Sequence, residues 1–398
     1  MKIINGSVYT EDYRFSPKDI CIKGEYFDGI TDRQKVGDKT SDTDSLDDDI
    51  IVDAKGDYVI PGLIDVHVHG CHNSDFCDAT YESISDFLSY EASVGVTSIC
   101  PTTMTVPEDK LLNVARVTGD YFNKIVEDED AIKAHKKEAS FLGINMEGPF
   151  ISPEKKGSQE LADIKLPDVS LVRKMQDLSG GKICMVDIAP ERDGAMDFIK
   201  ELKDEVVISI AHTASDYDTA VKAMELGALH VTHLYNAMSP YHHREPGVVG
   251  AVIDNKECYA ELITDGIHHH STVDRSTFTL LGDERVVIIS DSMRAVGMPD
   301  GEYELGGHKV YVKGRRATLS DGTIAASVSN LYECMITCIK DIKVPIESAV
   351  RAATINAARS VRMDRMYGSI TKGKYADALI IDKDTLELKK VILRGNVL

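Results

Sequence analysis

Two kinds of hydrophobic periodicity divide this chain. Residues 1 to 58 alternate short β-rich runs with turn signals, as in "KIINGSVYT", "DICIKGEYFDGI" and "DIIVDAKGDYVI", the texture of strands in a small sheet. From residue 59 onward, compact apolar runs are separated by longer segments whose apolar positions recur every three or four residues. That is the pattern of βα units around a parallel sheet. The runs are "YVIPGLIDVHVH" (58–69), "GVTSICPTT" (95–103), "FLGINMEGP" (141–149), "KICMVDIAP" (182–190), "VVISIAHT" (206–213), "GALHVTHLYNAM" (227–238), "CYAELITDGIH" (258–268) and "RVVIISDS" (285–292). Segments such as "YESISDFLSYEASVG" and "DYDTAVKAMELGA" supply amphipathic helices between them. Eight such units predict an α/β fold, a (β/α)8 TIM-like barrel. After the eighth run come "EYELGGHKVYV", two helical segments and a closing β-rich stretch, "GSITKGKYADALIIDKDTLELKKVILRGNVL". Its texture matches the N-terminal part. The two ends are therefore expected to pair, with 1–58 and 369–398 forming a small β-sandwich domain and 59–368 the barrel.

Composition narrows the function. A length of 398 residues with 43% hydrophobic content suffices for a large core. The formal charge of −20 leaves no basic footprint for nucleic acid and disfavours an anionic membrane surface, so an anionic substrate needs a local basic pocket. Much of the acidity lies in "TDRQKVGDKTSDTDSLDDD" (31–49), which reads as a solvated loop or disordered insertion; calcium binding is the alternative, although no glycine-turned loop with a closing Glu follows. The N-terminus has no basic segment followed by an apolar core, and no run is long enough to span a bilayer, which predicts a cytoplasmic protein. Eight scattered cysteines without CxxC pairs predict free buried thiols. Asn5-Gly6-Ser7 is read as an Asn-Gly hairpin turn.

The chemistry gathers at the ends of the runs. In "DVHVHG" (65–70), strand alternation puts His67 and His69 on one side, about 7 Å apart at about 3.3 Å per residue. They are either metal ligands or partly exposed strand-end histidines. The other run ends carry Glu147, His212, His233, Asp265, His268 and Asp291. In a parallel barrel the C-terminal strand ends surround one mouth. Imidazole and carboxylate converging there suit a hydrolytic zinc or iron ion. Their recurrence at strand ends favours the metal site over isolated histidines.

With these residues in place, the chain resembles the amidohydrolase superfamily and, within it, the N-acetylglucosamine-6-phosphate deacetylases. The likeness runs through "PGLIDVHVHG", "GVTSICPTT", "MEGPFISPEKKG", "IAHTASDY", "VTHLYNAMSPYHHREPG", "DGIH", "ISDSMRAVG" and "GSITKGKYADALIIDKD". It implies that Glu147, His212 and His233 hold the main divalent metal. His67 and His69 add a second position that Glu147 could bridge. Zinc or iron is expected, with manganese, cobalt and nickel compatible. It further implies Asp291 as the group that takes a proton from the attacking water and returns it to the departing amine; a helix N-cap in "SDSMRA" is the structural alternative. Arg244 and His268 would contact the substrate phosphate, one of that set coming from a neighbouring subunit of a homodimer. Asn236 and the Ala237 backbone would contact sugar and phosphate. His242, His243, His269 and His270 have no matched role and are expected to be exposed.

Two departures stand out. "KKGSQE" places Gln159 where many relatives have a histidine that polarises the substrate carbonyl; an amide can still donate to the developing oxyanion, without a charge. "IAASVSN" (324–330) replaces a motif like "LAGS". The expected activity is deacetylation of N-acetylglucosamine 6-phosphate. The alternatives are N-acetylgalactosamine 6-phosphate or a cyclic amide.

Overall fold

A computed structural model describes residues 1–32, 50–127 and 133–398. The acidic stretch read as a solvated loop lies, from residue 33 on, outside the described residues.

Eight parallel strands form the barrel: β1 (Leu63–Val68), β2 (Val96–Thr103), β3 (Ile144–Met146), β4 (Ile183–Ile188), β5 (Val207–Ile210), β6 (His230–Val231), β7 (Tyr259–Ile263) and β8 (Val286–Ile289). Each pairs with the next in chain order. The ring closes just beyond β8, where the Asp291 N–H donates to His67 O at 3.0 Å and the His69 N–H donates to Ser292 O at 2.9 Å. Helices cover the outer faces, so every residue of β1 and β2 is buried, as expected for strands packed on both sides. Helix starts follow local chemistry: Thr80 and Asp216 cap the helices Tyr81–Ser93 and Tyr217–Leu226 with their side chains.

The run 58–69, expected as one barrel strand, is two. Tyr58–Pro61 belongs to the sheet built from the chain ends, and the barrel begins at Leu63. Pro61 has no N–H for a central ladder. At Gly62 a Cβ would sit 2.0 Å from Thr97 Oγ1, so only glycine lets the chain cross between sheets there.

The terminal sheet has eight strands from both ends. Ala378–Ile381 pairs antiparallel with Tyr58–Pro61, which pairs parallel with Lys2–Tyr9. Ile3, Val8, Ile20, Phe27, Val59 and Ile380 are among its buried core residues. Asn5-Gly6 is not the hairpin turn expected. It lies inside the strand Lys2–Tyr9 at a register shift, with Asn5 at φ +60°. Asn5 Nδ2 donates to Asp53 Oδ1 at 3.0 Å, and its backbone N–H donates to Asp19 Oδ1 at 2.9 Å. Side-chain acceptors around this bulge take the place of ladder partners.

All eight cysteines are free; Cys21 and Cys184 are half-buried and the others buried. Among the described residues no helix is long and apolar enough to cross a membrane.

Candidate metal centre and active-site cavity

The extended backbone of β1 sets His67 and His69 side by side, with Nε2 atoms 3.3 Å apart. Three other residues at the mouth break the strand pattern. His212 after β5, His233 after β6 and Asp291 after β8 have φ of +43°, +27° and +48°. A non-glycine residue in that region costs about 1–3 kcal/mol. The surrounding barrel holds each one there.

The candidate ligand atoms fall into two groups, His67, His69 and Asp291, and Glu147, His212 and His233, each within 4.8 Å. Glu147 faces both. Its Oε1 lies 2.9 Å from His233 Nε2, 3.1 Å from His212 Nε2 and 3.5 Å from His67 Nε2, while Oε2 lies 3.3 Å from His69 Nε2. Asp291 Oδ1 is 3.3 Å from His69 Nε2 and 3.6 Å from His67 Nε2. Burial alone would raise the Glu147 pKa. The His67 charge and the hydrogen bonds of His212, His233 and His69 outweigh it and hold the group well below the usual carboxylate range.

The outer ring nitrogens orient these rings. His69 Nδ1 donates to Thr102 O at 3.2 Å, and His212 Nδ1 donates to Lys155 O at 2.8 Å. His67 Nδ1 lies 3.0 Å from Glu261 Oε2. A backbone carbonyl only accepts, so His69 and His212 each carry a proton on Nδ1; in the neutral ring, the form that binds a cation, the Nε2 lone pair then faces inward. The Nε2 atoms of His67 and His69 lie 3.3 Å apart and those of His212 and His233 3.1 Å apart. Zinc at about 2.0–2.1 Å from each nitrogen in tetrahedral geometry implies nitrogens about 3.3 Å apart. The donor set therefore fits divalent cations.

A cavity of about 270 Å³ opens over the centre. His69, Glu147, His212, His233 and Asp291 line it together with Gln159, Asn236, Ala237 and His268. His67 is fully buried behind them. Gln159 is held at both ends: its Oε1 accepts from the Thr105 N–H at 2.7 Å, and its Nε2 donates to Glu147 Oε2. His268 Nδ1 lies 2.9 Å from Asp265 Oδ2. Burial would lower the His268 pKa, but the Asp265 hydrogen bond and charge outweigh it and raise the value. Asp291 caps no helix; the residues after it run through a bridge and a turn.

Arg244 is not brought to this cavity. It is exposed, with Nη1 2.8 Å from His243 Nε2, and lines a separate cavity beside Asp216, Tyr217 and His242. His242, His243 and His270 are exposed as expected. His269 is not. It is buried between Asp274, 2.9 Å from its Nδ1, and Asn236, whose Nδ2 donates to its Nε2 at 2.8 Å. The following helix, Ser271–Leu281, supplies Asp274 and covers the ring.

The buried polar residues below the mouth that strand ends do not reveal include Asp187 in β4, His230 in β6 and Glu261 in β7. Their signal was present as a lone charged or polar residue inside an apolar run, in "ICMVDIAP", "GALHVTH" and "CYAELI".

A model of the amidohydrolase family matches residues 58–398. An N-acetylglucosamine-6-phosphate deacetylase of Bacillus subtilis (strain 168) is 39% identical over 348 residues, covering 87% of this chain and 86% of its own. A solved structure of N-acetyl-D-glucosamine-6-phosphate deacetylase from Mycobacterium smegmatis matches with a TM-score of 0.88 at 26% identity and covers 100% of both chains. A mutant of that enzyme in complex with N-acetyl-D-glucosamine-6-phosphate matches with a TM-score of 0.87 at 26% identity, covering 100% of this chain and 98% of its own.

Proposed function

The chain belongs to the amidohydrolase family, and on that premise we propose that it hydrolyses N-acetyl-D-glucosamine 6-phosphate to D-glucosamine 6-phosphate and acetate. The observation that carries this reading is the convergence of four imidazoles and two carboxylates on one cavity. The 39% identity to a deacetylase of that substrate selects the acetamide among the family's bonds.

In this reading Glu147, His212 and His233 hold one divalent cation, zinc or iron, and His67 and His69 offer a second position. When bound, the cation acidifies a water and polarises the acetyl carbonyl. Asp291, with Oδ1 3.3 Å from His69 Nε2, takes the proton of the attacking water. It delivers that proton to the amide nitrogen as the C–N bond breaks, because an amine leaves only when protonated. Gln159 is engaged with Glu147, so its part is to hold that carboxylate.

Asn236, the Ala237 backbone and His268 orient the phosphorylated sugar. Asp265 supports a cationic His268, the form that suits a phosphate. Arg244 contacts the phosphate from a neighbouring copy in a homodimer; its exposure and its place outside the lining of the metal-centre cavity support that assignment. Eight free thiols suit the reducing cytoplasm.

The test is acetate release by metal-loaded protein from N-acetylglucosamine 6-phosphate, with the unphosphorylated sugar and the galactosamine isomer alongside. Release from the first far exceeding the others is expected. Equal rates on the unphosphorylated sugar would remove the phosphate site, and no release from any would remove the substrate.

A further inference from the structure

The barrel interior holds a carboxylate that the reaction above leaves unused. Glu261 sits in mid-strand between Ala260 and Leu262 of β7 and is fully excluded from solvent. Its Oε2 lies 3.0 Å from His67 Nδ1 and accepts from the His233 backbone N–H at 3.1 Å. One oxygen therefore touches a ligand residue of each group. Oε1 has no hydrogen-bond partner among the described residues and faces His230 Nε2, also unpartnered, at 3.8 Å. A carboxyl group where an aliphatic side chain would pack carries a desolvation cost. Its contacts account for its place.

His69 and His212 are oriented by backbone carbonyls, which no substitution removes. His67 alone is oriented by a side chain. We propose that Glu261 is the positioning residue of the metal centre: it holds the His67 ring with Nε2 free to ligate, braces the His233 backbone, and so sets cation affinity without touching substrate. An acceptor on the outer nitrogen fixes the tautomer and ring direction and raises the basicity of the ligating nitrogen. His233, at φ +27° and without a hydrogen-bond partner on Nδ1 among the described residues, depends on its backbone contact for placement. The proposal rests on the divalent-cation reading above.

The experiment compares wild type, Glu261→Gln and Glu261→Met. Each is stripped of metal and titrated with zinc against a chromophoric chelator, with melting of the stripped proteins recorded beside it. Gln keeps a carbonyl acceptor of similar reach; Met keeps the bulk and removes the acceptor. Glu261→Met is expected to weaken zinc binding by about 10–100-fold, with Glu261→Gln between it and wild type. If Glu261→Met does not fold, the near-isosteric Gln decides. Its neutral acceptor is the weaker partner, and zinc affinity equal to wild type overturns the proposal. Folded Met protein with wild-type affinity overturns it too. Wild-type protein that takes up no zinc overturns the cation reading, and the proposal with it.

Discussion

The two ligand groups contain similar donors and are built in different ways. His67 and His69 stand two residues apart at the end of one strand, His67 inside it and His69 just past it, and only Asp291 of their group has a left-handed backbone. Glu147, His212 and His233 come from the ends of three strands, and two of the three are left-handed. The first pair inherits its spacing from the pleat. The second set exists only once β3 to β6 are assembled in order in the barrel, and its strain is balanced by the barrel as a whole. A site can thus combine one half that is local and one half that is tertiary, joined by a single carboxylate, Glu147.

The sharpest way to break this comparison is to remove the proton carrier while keeping both sets of imidazoles. Asp291→Asn is expected to lower acetate release by about 10²–10⁴-fold while elemental analysis still finds the zinc of the Glu147, His212 and His233 group; near-wild-type turnover would move proton transfer elsewhere. Chelation comes next. Stripping protein held at free zinc a hundredfold above Kd is expected to cost about 2.7 kcal/mol of stability, seen as a lower Tm that zinc restores. An unshifted Tm would mean that the folded chain holds no cation.

The contrast between the groups is sharpened by His212→Gln beside His67→Gln. The former is expected to lose more zinc affinity than the latter, because His212 belongs to the group that holds the main cation and His67 to the second position. Equal losses would erase the distinction. The smallest effect is expected at Gln159. Gln159→Leu removes a hydrogen bond to a charged group, about 1.5 kcal/mol or about tenfold in turnover. A fall of about 10²–10³-fold would instead mark Gln159 as a direct oxyanion donor.

The same contrast governs what was legible beforehand. "HVH" on an apolar run gives its geometry away, because strand alternation is a local property. Glu147, His212 and His233 became visible only after eight runs were taken as strands of one barrel, since nothing in each run alone aims its last residue at a common point. Glu261 was harder still: it lies in mid-strand, where an inventory of strand ends does not look. The break at Gly62 was hidden because both halves of the 58–69 run are apolar. Periodicity shows that a segment is strand, and not that its sheet changes under it. The burial of His269 is not legible because its partner, Asp274, reaches the ring only through the first turn of the helix Ser271–Leu281.

The sheet formed by both chain ends has a consequence for synthesis. Tyr58–Pro61 leaves the ribosome before the barrel strands, and the strand that covers its edge, Ala378–Ile381, is translated only after them. Throughout that interval the edge presents unpaired backbone groups beside apolar Val59 and Ile60, the kind of edge that recruits other chains. Translation pauses or premature termination before residue 378 would therefore yield nascent chains whose barrel sequence is complete and whose sheet edge is open, making them natural clients for chaperones.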